Sequence, residues 1–261
     1  MAGAIIARMP LVDVVANPES KRRYVRRLFA TIADRYDLIT AVLSYGRDRA
    51  WKRRLVAMAS ARPGMRVLDL ATGTGDLAYL LHERGARVTG LDITPRMITL
   101  ARAKGTGPRH PQFLVGDMSA LPFTSGAFDL VTTGYGLRNV PDLPLALREI
   151  LRVLAPGGRL LSLDFNRPTN GLLRSAYLAY LGVVGGALGW LLHRDPDTYR
   201  YIPESIRLYP GGAGVVRLMQ TEGFASARWL PVLAGLMAIH DATAPAGASR
   251  EPGDRPGTDI H

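Results

Sequence analysis

The 261-residue chain contains no cysteine, which removes disulfides, thiolate metal ligands and any thiolate nucleophile from consideration. Histidine is scarce as well, with five residues scattered along the chain, so no metal cluster is expected. Negative charge is in short supply: 22 Asp and Glu face 33 Lys and Arg, a net charge of +11. Apolar runs long enough to span a bilayer are also lacking. The apolar stretch Leu181–Leu192 has 12 residues, within a run free of Asp, Glu, Lys and Arg from Ser175 to His193, against about 20 for a spanning helix. Near the N-terminus, Arg8 and Asp13 interrupt the apolar residues and no small-residue cleavage site follows. A secretory signal is therefore not expected, and the cytoplasm is the expected compartment.

Positive charge is what the chain has in excess. It concentrates at Lys21, Arg22, Arg23, Arg26 and Arg27, and again at Arg47, Arg49, Lys52, Arg53 and Arg54. Such clusters favour an anionic partner, whether nucleic acid, phospholipid headgroup or diphosphate. They fit solvated helix faces equally well.

Residues 1–18 read as a flexible leader. Residues 19–60 read as N-terminal helices, with Tyr24, Leu28, Phe29, Ile32 and Tyr36 at helical spacing, then Trp51 and Leu55. From Arg66 short apolar runs alternate with helical stretches. Strands are expected at Arg66–Ala71, Arg87–Asp92, Gln112–Gly116, Phe128–Thr133 and Arg159–Phe165, and helices at Asp76–Glu83, Arg96–Lys104 and Leu143–Leu154. That rhythm implies βαβ units on a parallel sheet, with ligands at the carboxyl ends of the strands. Residues 171–193 break it with a glycine-bearing apolar stretch, inside a segment 167–210 expected to face substrate or lipid. A helix at Val215–Glu222 and strands at Phe224–Leu230 and Leu236–His240 close a single domain of residues 19–241. The Ala-, Pro- and Gly-rich residues 242–261 are expected to form a disordered tail.

The turn Asp69-Leu70-Ala71-Thr72-Gly73-Thr74-Gly75-Asp76 joins the first strand to the first helix of this series. Its glycines allow close backbone approach to a ligand, and the helix start offers free N–H groups. Asp92 ends the next strand, where a carboxylate can accept from two ribose hydroxyls. These features alone would also suit a dinucleotide. The acidic residues Asp69 and Asp76 favour the sulfonium and ammonium of S-adenosylmethionine over a pyrophosphate. Asp117 is placed to accept from an adenine amino group, with Met118 against the ring. The turn Leu154-Ala155-Pro156-Gly157-Gly158 into the fifth strand agrees with that cofactor.

Several longer segments are similar to the bacterial demethylmenaquinone and polyprenyl-methoxybenzoquinol C-methyltransferases. They are Tyr36-Asp37; Leu43-Ser44-Tyr45-Gly46 with Arg49-Ala50-Trp51-Lys52; Gly136-Leu137-Arg138-Asn139-Val140; Tyr199-Arg200-Tyr201-Ile202-Pro203-Glu204-Ser205-Ile206-Arg207; and Gly235 to His240. The resemblance implies a Rossmann-like class I methyltransferase: an α/β fold with a mostly parallel seven-stranded sheet, helices on both faces and an antiparallel last strand. It implies S-adenosylmethionine as cofactor, held by Asp69, Gly73, Thr74, Gly75, Asp92, Asp117, Met118 and Gly134. It implies transfer of methyl to a ring carbon of a polyprenyl quinol, with Arg138 stabilising the phenolate or orienting a water and Asn139 bonding a ring oxygen. Tyr45, Asp164 and Tyr199 are further candidates around the ring. Gly134 replaces a hydroxyl residue common in the family, and Asp164 replaces Glu. Peripheral contact with the inner face of the membrane, through 171–193 and the basic N-terminal helix, is the matching expectation. Whether the chain forms a homodimer stays open.

Rival readings are weaker. Methylating a pyrimidine carbon usually needs a cysteine, and enzymes acting on base amino groups usually carry an Asn-Pro-Pro-Tyr-like segment where this chain has Gly134-Tyr135-Gly136-Leu137-Arg138-Asn139. Nucleic acid is therefore not an expected partner. A methyltransferase acting on another small aromatic or lipid, and a non-catalytic lipid-binding subunit, are the remaining alternatives.

Overall fold

The computed structural model describes residues 17–105 and 110–247, together with Leu11 and Asp13. Its first helix, α1 (Pro18–Ile32), starts where Pro18 presets the first turn and the Asn17 side chain accepts from the Ser20 N–H at 3.0 Å. Asn17 and Pro18 thus belong to a capped helix, and Leu11 packs against the core. The leader expected over 1–18 is corrected to that extent; the rest of it lies outside the described residues. Two helices follow, α2 (Tyr36–Leu43) and α3 (Asp48–Ala59).

Then comes the alternating unit: β1 (Arg66–Leu70), α4 (Asp76–His82), β2 (Arg87–Asp92), α5 (Pro95–Lys104), β3 (Gln112–Val115), β4 (Phe128–Gly134), α6 (Leu143–Val153) and β5 (Leu154–Phe165). The chain continues through α7 (Gly171–His193), α8 (Tyr201–Leu208), α9 (Gly211–Thr221), β6 (Ser226–Val232) and β7 (Met237–Thr243). The seven strands lie in the order β3-β2-β1-β4-β5-β7-β6. β1 to β5 pair in parallel, and β7 runs antiparallel to both of its neighbours. The expected fold class is the observed one.

The sheet is apolar on both faces, as a parallel sheet covered by helices must be. Along β1 the residues alternate: Val67 packs with Leu55, Leu77 and Leu81 on one side, while Leu68 and Leu70 pack with Leu147, Ile150 and Met219 on the other. Burying each such Leu contributes roughly 1.5–3 kcal/mol.

Four expectations need adjustment. β5 starts at Leu154, five residues early, because Pro156-Gly157-Gly158 forms an irregularity inside the strand; pairing with β4 runs from Leu154–Phe128 to Arg159–Leu130 across it. The apolar stretch at 171–193 is one continuous 23-residue helix, capped by Asn170 and, against the expectation that no run was long enough, sufficient to cross a membrane by length and composition. The helix expected at Val215 begins at Gly211, where φ is +74°. Finally, the tail does not start at Ala242. Ala242 and Thr243 pair with Leu160 and Arg159, and the Ala244 N–H donates to the Gly158 carbonyl at 2.8 Å. Residues 248–261 lie outside the described residues.

Candidate active site

The turn after β1 is held by unusual backbone and by carboxylates. Ala71, Gly73 and Gly75 all have positive φ, 49°, 56° and 88°. Gly73 is the one that a ligand needs bare: its N–H donates to Asp92 at 2.9 Å, and an added Cβ would stand 3.5 Å from the Tyr36 ring. The second Asp92 oxygen accepts from the Thr94 N–H at 2.8 Å. Asp92 is thereby fixed at the end of β2 with its remaining lone pairs toward a cleft, and burial raises its carboxyl above the ordinary range.

That cleft lies at the carboxyl ends of β1, β2 and β4. Asp92, Asp117, Met118, Gly73 and Gly134 line it from the sheet, and Arg22, Val25 and Phe29 of α1 line it from outside. The structure thus brings together five of the residues expected to bind cofactor. Gly136 closes one wall so tightly that a Cβ there would come within 2.2 Å of Thr133 Oγ1 and 3.3 Å of Met118 Cε. Asp117 accepts from the Ser119 N–H at 2.8 Å through Oδ1, and its Oδ2 accepts from the Arg22 guanidinium. The sequence left Arg22 open between an anionic partner and a solvated face. It reaches across to the carboxylate expected to hold an adenine amino group.

Behind the turn is a small polar chamber lined by Lys52, Asp69, Thr72, Thr74 and Asp76, with Tyr36 and Tyr135. Asp69 belongs here and not in the main cleft. Its two oxygens accept from Thr72 at 2.6 Å and Thr132 at 2.8 Å, and burial pushes its carboxyl up to about 6 against those bonds. The Thr74 hydroxyl donates to Asp37 at 2.6 Å and accepts from Lys104 at 2.8 Å, so its side chain is committed within this cluster. Lys52 lies 2.7 Å from Asp48 and 2.9 Å from Asp76. Burial opposes both charges of the second pair, yet Lys52 and Lys104 bring Asp76 down to about 2. The acidic character expected of the turn is therefore corrected: two lysines balance Asp76, and Asp69 is the carboxylate left without a cation.

A third space, largely apolar, opens next to the cleft. Leu28, Phe29 and Ile32 of α1, Ile39 and Leu43 of α2, Phe165 and Tyr199 enclose it, and Arg138 and Asn139 supply polar groups. Tyr36 and Tyr135 line all three spaces, and Asn139 lines both this one and the main cleft. Asn139 sits on the short 3-10 turn Leu137–Asn139 after β4. Its Nδ2 donates to the Tyr135 carbonyl at 2.7 Å, which orients the amide, and its Oδ1 is buried with no hydrogen-bond partner among the described residues. The buried Tyr201 hydroxyl is also without one.

Arg138 is buried. Its main-chain N–H and Nε reach Asp164 at 3.0 and 3.3 Å, its NH1 donates to the Ser205 hydroxyl, and its guanidinium lies 5.3 Å from the Phe165 ring centre and 5.9 Å from that of Tyr201. It faces the ring-sized cavity as a fixed, paired cation. The expectation for Asp164 is corrected: it is fully buried beneath Arg138 and lines neither space. Tyr45 is corrected as well. It is 45% exposed and stacks on Tyr180 of α7 at 5.2 Å, outside both cavities. Tyr199 does line the cavity, its hydroxyl 2.9 Å from His193 Nε2.

Sequence reasoning missed Tyr36, Tyr135 and Lys21 as parts of this region. Tyr135 carried a signal, since a bulky residue between Gly134 and Gly136 takes the rare positive φ of 63° here. Its hydroxyl donates to Asp48 at 2.8 Å. Lys21 carried none: its Nζ donates to the Arg138 carbonyl at 3.0 Å, and burial with the Arg138 charge lowers it to about 8.

The profile of the ubiE/COQ5 methyltransferase family matches residues 17–244. A curated relative named demethylmenaquinone methyltransferase, from Thermus thermophilus, is 44% identical over 216 residues, covering 82% of this chain and 98% of the relative. One from Rubrivivax gelatinosus, named ubiquinone/menaquinone biosynthesis C-methyltransferase UbiE, is 38% identical over 88% of this chain and 90% of its own length. Among solved structures, a SAM-dependent methyltransferase from Thermotoga maritima, titled as a possible histamine N-methyltransferase, aligns with a TM-score of 0.61 at 19% identity, covering 84% of this chain and 99% of that one. A Haemonchus contortus phosphoethanolamine N-methyltransferase in complex with S-adenosyl-L-methionine aligns at 0.55 and 15%, over 75% of this chain and 52% of that one. These two likenesses are of fold.

Proposed function

The chain belongs to the ubiE/COQ5 methyltransferase family, and on that premise we propose that it transfers a methyl group from S-adenosylmethionine to a ring carbon of a polyprenyl quinol, in respiratory quinone synthesis. The observation that carries the reading is the junction of two cavities at Asn139, a residue whose buried acceptor, Oδ1, has no partner among the described residues. A buried acceptor without a donor costs about 1–3 kcal/mol, so a ligand hydroxyl that satisfies it is favoured.

The residues fit the cofactor. Asp92 would accept from ribose hydroxyls, Met118 and Gly134 would flank the base and sugar, and Asp117 would take the adenine amino group in competition with Arg22. The polar chamber, with Lys52 for a carboxylate and Asp69 for an ammonium, suits the amino-acid end. Bound there, S-adenosylmethionine supplies an electrophilic methyl group. This chain's own work is to present a ring carbon to it and manage one proton.

A quinol carbon becomes nucleophilic as the neighbouring phenol loses its proton, which the electron-poor quinone cannot do. Asn139 Oδ1 accepts a hydrogen bond from that phenol and orients it. The phenol proton is given up to water. Once the methyl is attached, the ring carbon's own hydrogen leaves as a proton while the ring oxygen is reprotonated, so that one proton is released per methyl transferred. Arg138, fixed by Asp164 and always protonated, lowers the energy of the phenolate that forms. The apolar walls from α1 and α2 exclude water, which strengthens that electrostatic help. The prenyl tail leaves toward the apolar surface of α2 and α7, so the enzyme works in contact with the membrane that holds its substrate.

Label transfer tests this. With methyl-labelled S-adenosylmethionine, purified protein should label chemically reduced demethylmenaquinol or the equivalent demethyl benzoquinol in detergent, and leave the oxidised quinones unlabelled. Label in neither reduced substrate, from protein that binds the cofactor, would overturn the substrate assignment.

A further inference from the structure

The helix α7 is long and apolar enough to cross a membrane by length and composition, yet it lies along the fold. One stripe, Tyr177, Leu178, Leu181, Gly185 and Gly189, is buried against the protein. At Gly185 a Cβ would come within 3.1 Å of Tyr199, so the close approach depends on glycine. The opposite stripe carries Leu172, Ala176, Val183, Ala187, Trp190 and Leu191, all exposed. Leu172 is 83% exposed, Val183 74%, Trp190 67% and Leu191 69%. At about 1.5 Å rise per residue, this is a strip roughly 27 Å long. Soluble surfaces rarely leave such a continuous apolar line uncovered.

Beside the strip, a groove between α7 and α8 is lined by Arg167, Arg174, Arg200 and Arg207, with Glu204 as the one carboxylate among its lining residues. Glu204 pairs with Arg207 at 2.6 Å, and Arg167 and Arg174 make the groove basic next to apolar side chains. On the other side, the strip continues through the Tyr180–Tyr45 stack to the exposed Leu38 and Val42 of α2. The inner face of α2, through Ile39 and Leu43, lines the ring-sized cavity. Arg35 donates to the Leu192 carbonyl, tying the two helices at their other ends.

We propose that the outward face of α7 and the arginine groove beside it form a docking surface for an anionic phospholipid bilayer, with lipid phosphates in the groove and the apolar strip among the acyl chains. The inference rests on the membrane contact proposed above and names its surface and the charge of the lipid. An apolar strip flanked by cations is what an interfacial helix presents to anionic lipid. A second copy of the chain fits less well, because a two-fold contact sets the same patch against itself and would bring two arginine grooves together. The basic α1 contributes less than its sequence promised: Lys21 and Arg22 are turned inward to the Arg138 carbonyl and Asp117.

Vesicle co-sedimentation of the full chain tests the surface, using phosphatidylcholine alone and phosphatidylcholine mixed with phosphatidylglycerol. Binding to the anionic vesicles should be about tenfold stronger or more, and high salt should collapse the difference. The double variant Arg167→Gln, Arg174→Gln should lose the preference, and Val183→Glu, Trp190→Glu should lose binding, while both still take up S-adenosylhomocysteine in calorimetry as folded proteins. Equal binding to neutral and anionic vesicles, or an arginine variant that keeps the preference, would overturn the proposal and leave membrane contact standing. Absence of sedimentation with either vesicle would remove both. A dimer in light scattering that Val183→Glu, Trp190→Glu converts to monomer would assign the face to a second copy and overturn the lipid proposal. Label transfer to detergent-dispersed quinol does not depend on this surface, so failure there is a separate result.

Discussion

Arg138 and Asp164 stand 26 residues apart in sequence, and their pairing beneath the ring-sized cavity fixes a cation that has little access to water. Removing one partner of such a pair leaves a buried charge uncompensated, which typically costs about 3–5 kcal/mol. Asp164→Asn should therefore lower stability by that order in urea denaturation, as well as reducing methyl transfer. A variant of unchanged midpoint would mean that the pair is open to solvent. Lys21 offers a second residue-scale test, through pH. Burial and the Arg138 charge lower its folded value to about 8 from 10.5. Between those values the unfolded chain holds the proton more tightly, so this group makes stability rise with pH. Below pH 8 its buried charge is a burden; above pH 10.5 the burden is gone. The melting temperature of wild type minus that of Lys21→Met should grow as pH is raised from 8 to 10.5, and a flat difference would contradict the burial. Neither residue's role was legible in the sequence. Lys21 looked like one of a row of cations for an anionic partner or for solvent, and Asp164 like a polar group around the ring, because the contacts that define them are non-local.

Elements were far more legible. β2 was read to the residue and β1 to within one, since short apolar runs between turn signals leave few alternatives. The Gly-Leu-Arg-Asn segment likewise marked the loop on which the two cavities meet. Less visible was α8, where Pro203 falls in the first turn and is tolerated because its missing N–H has no partner there anyway. The end of β7 was also hidden: the tail was expected to begin at Ala242, yet Ala242 and Thr243 pair with β5, and Asp241 beside them pairs with Arg159 at 3.0 Å and Arg228 at 2.7 Å. Helix α7 could be seen only as apolar, because its two stripes are both apolar and one of them faces outward. Its approach to the turn Pro196–Tyr199 rests on Gly185. Gly185→Val should push Tyr199 into the ring-sized cavity, raising KM for the quinol several-fold with the S-adenosylhomocysteine Kd unchanged. Calorimetry and steady-state kinetics on the same preparation separate the two, and a matching loss of cofactor affinity would place the damage elsewhere.

Taken as a whole, the molecule divides its task between a parallel sheet and the helices added before and after it. The sheet's turns hold Gly73, Asp92, Asp117 and Met118 in a cleft at the carboxyl ends of the strands. Helices α1, α2 and α8 wall off the adjoining cavity, and α2 and α7 carry the apolar outer surface. Tyr36 and Tyr135 line both of these spaces and the polar chamber, and Asn139 stands where the main cleft and the adjoining cavity meet. The two halves can be tested apart through that one side chain. Single-turnover methyl transfer by Asn139→Ala, saturated with S-adenosylmethionine and given reduced demethylmenaquinol, is the direct measurement. By analogy with removal of one positioned hydrogen-bond partner from a buried site, the rate should fall about 10²–10³-fold, with cofactor affinity unchanged. A rate equal to wild type would contradict the placement of the ring against Asn139.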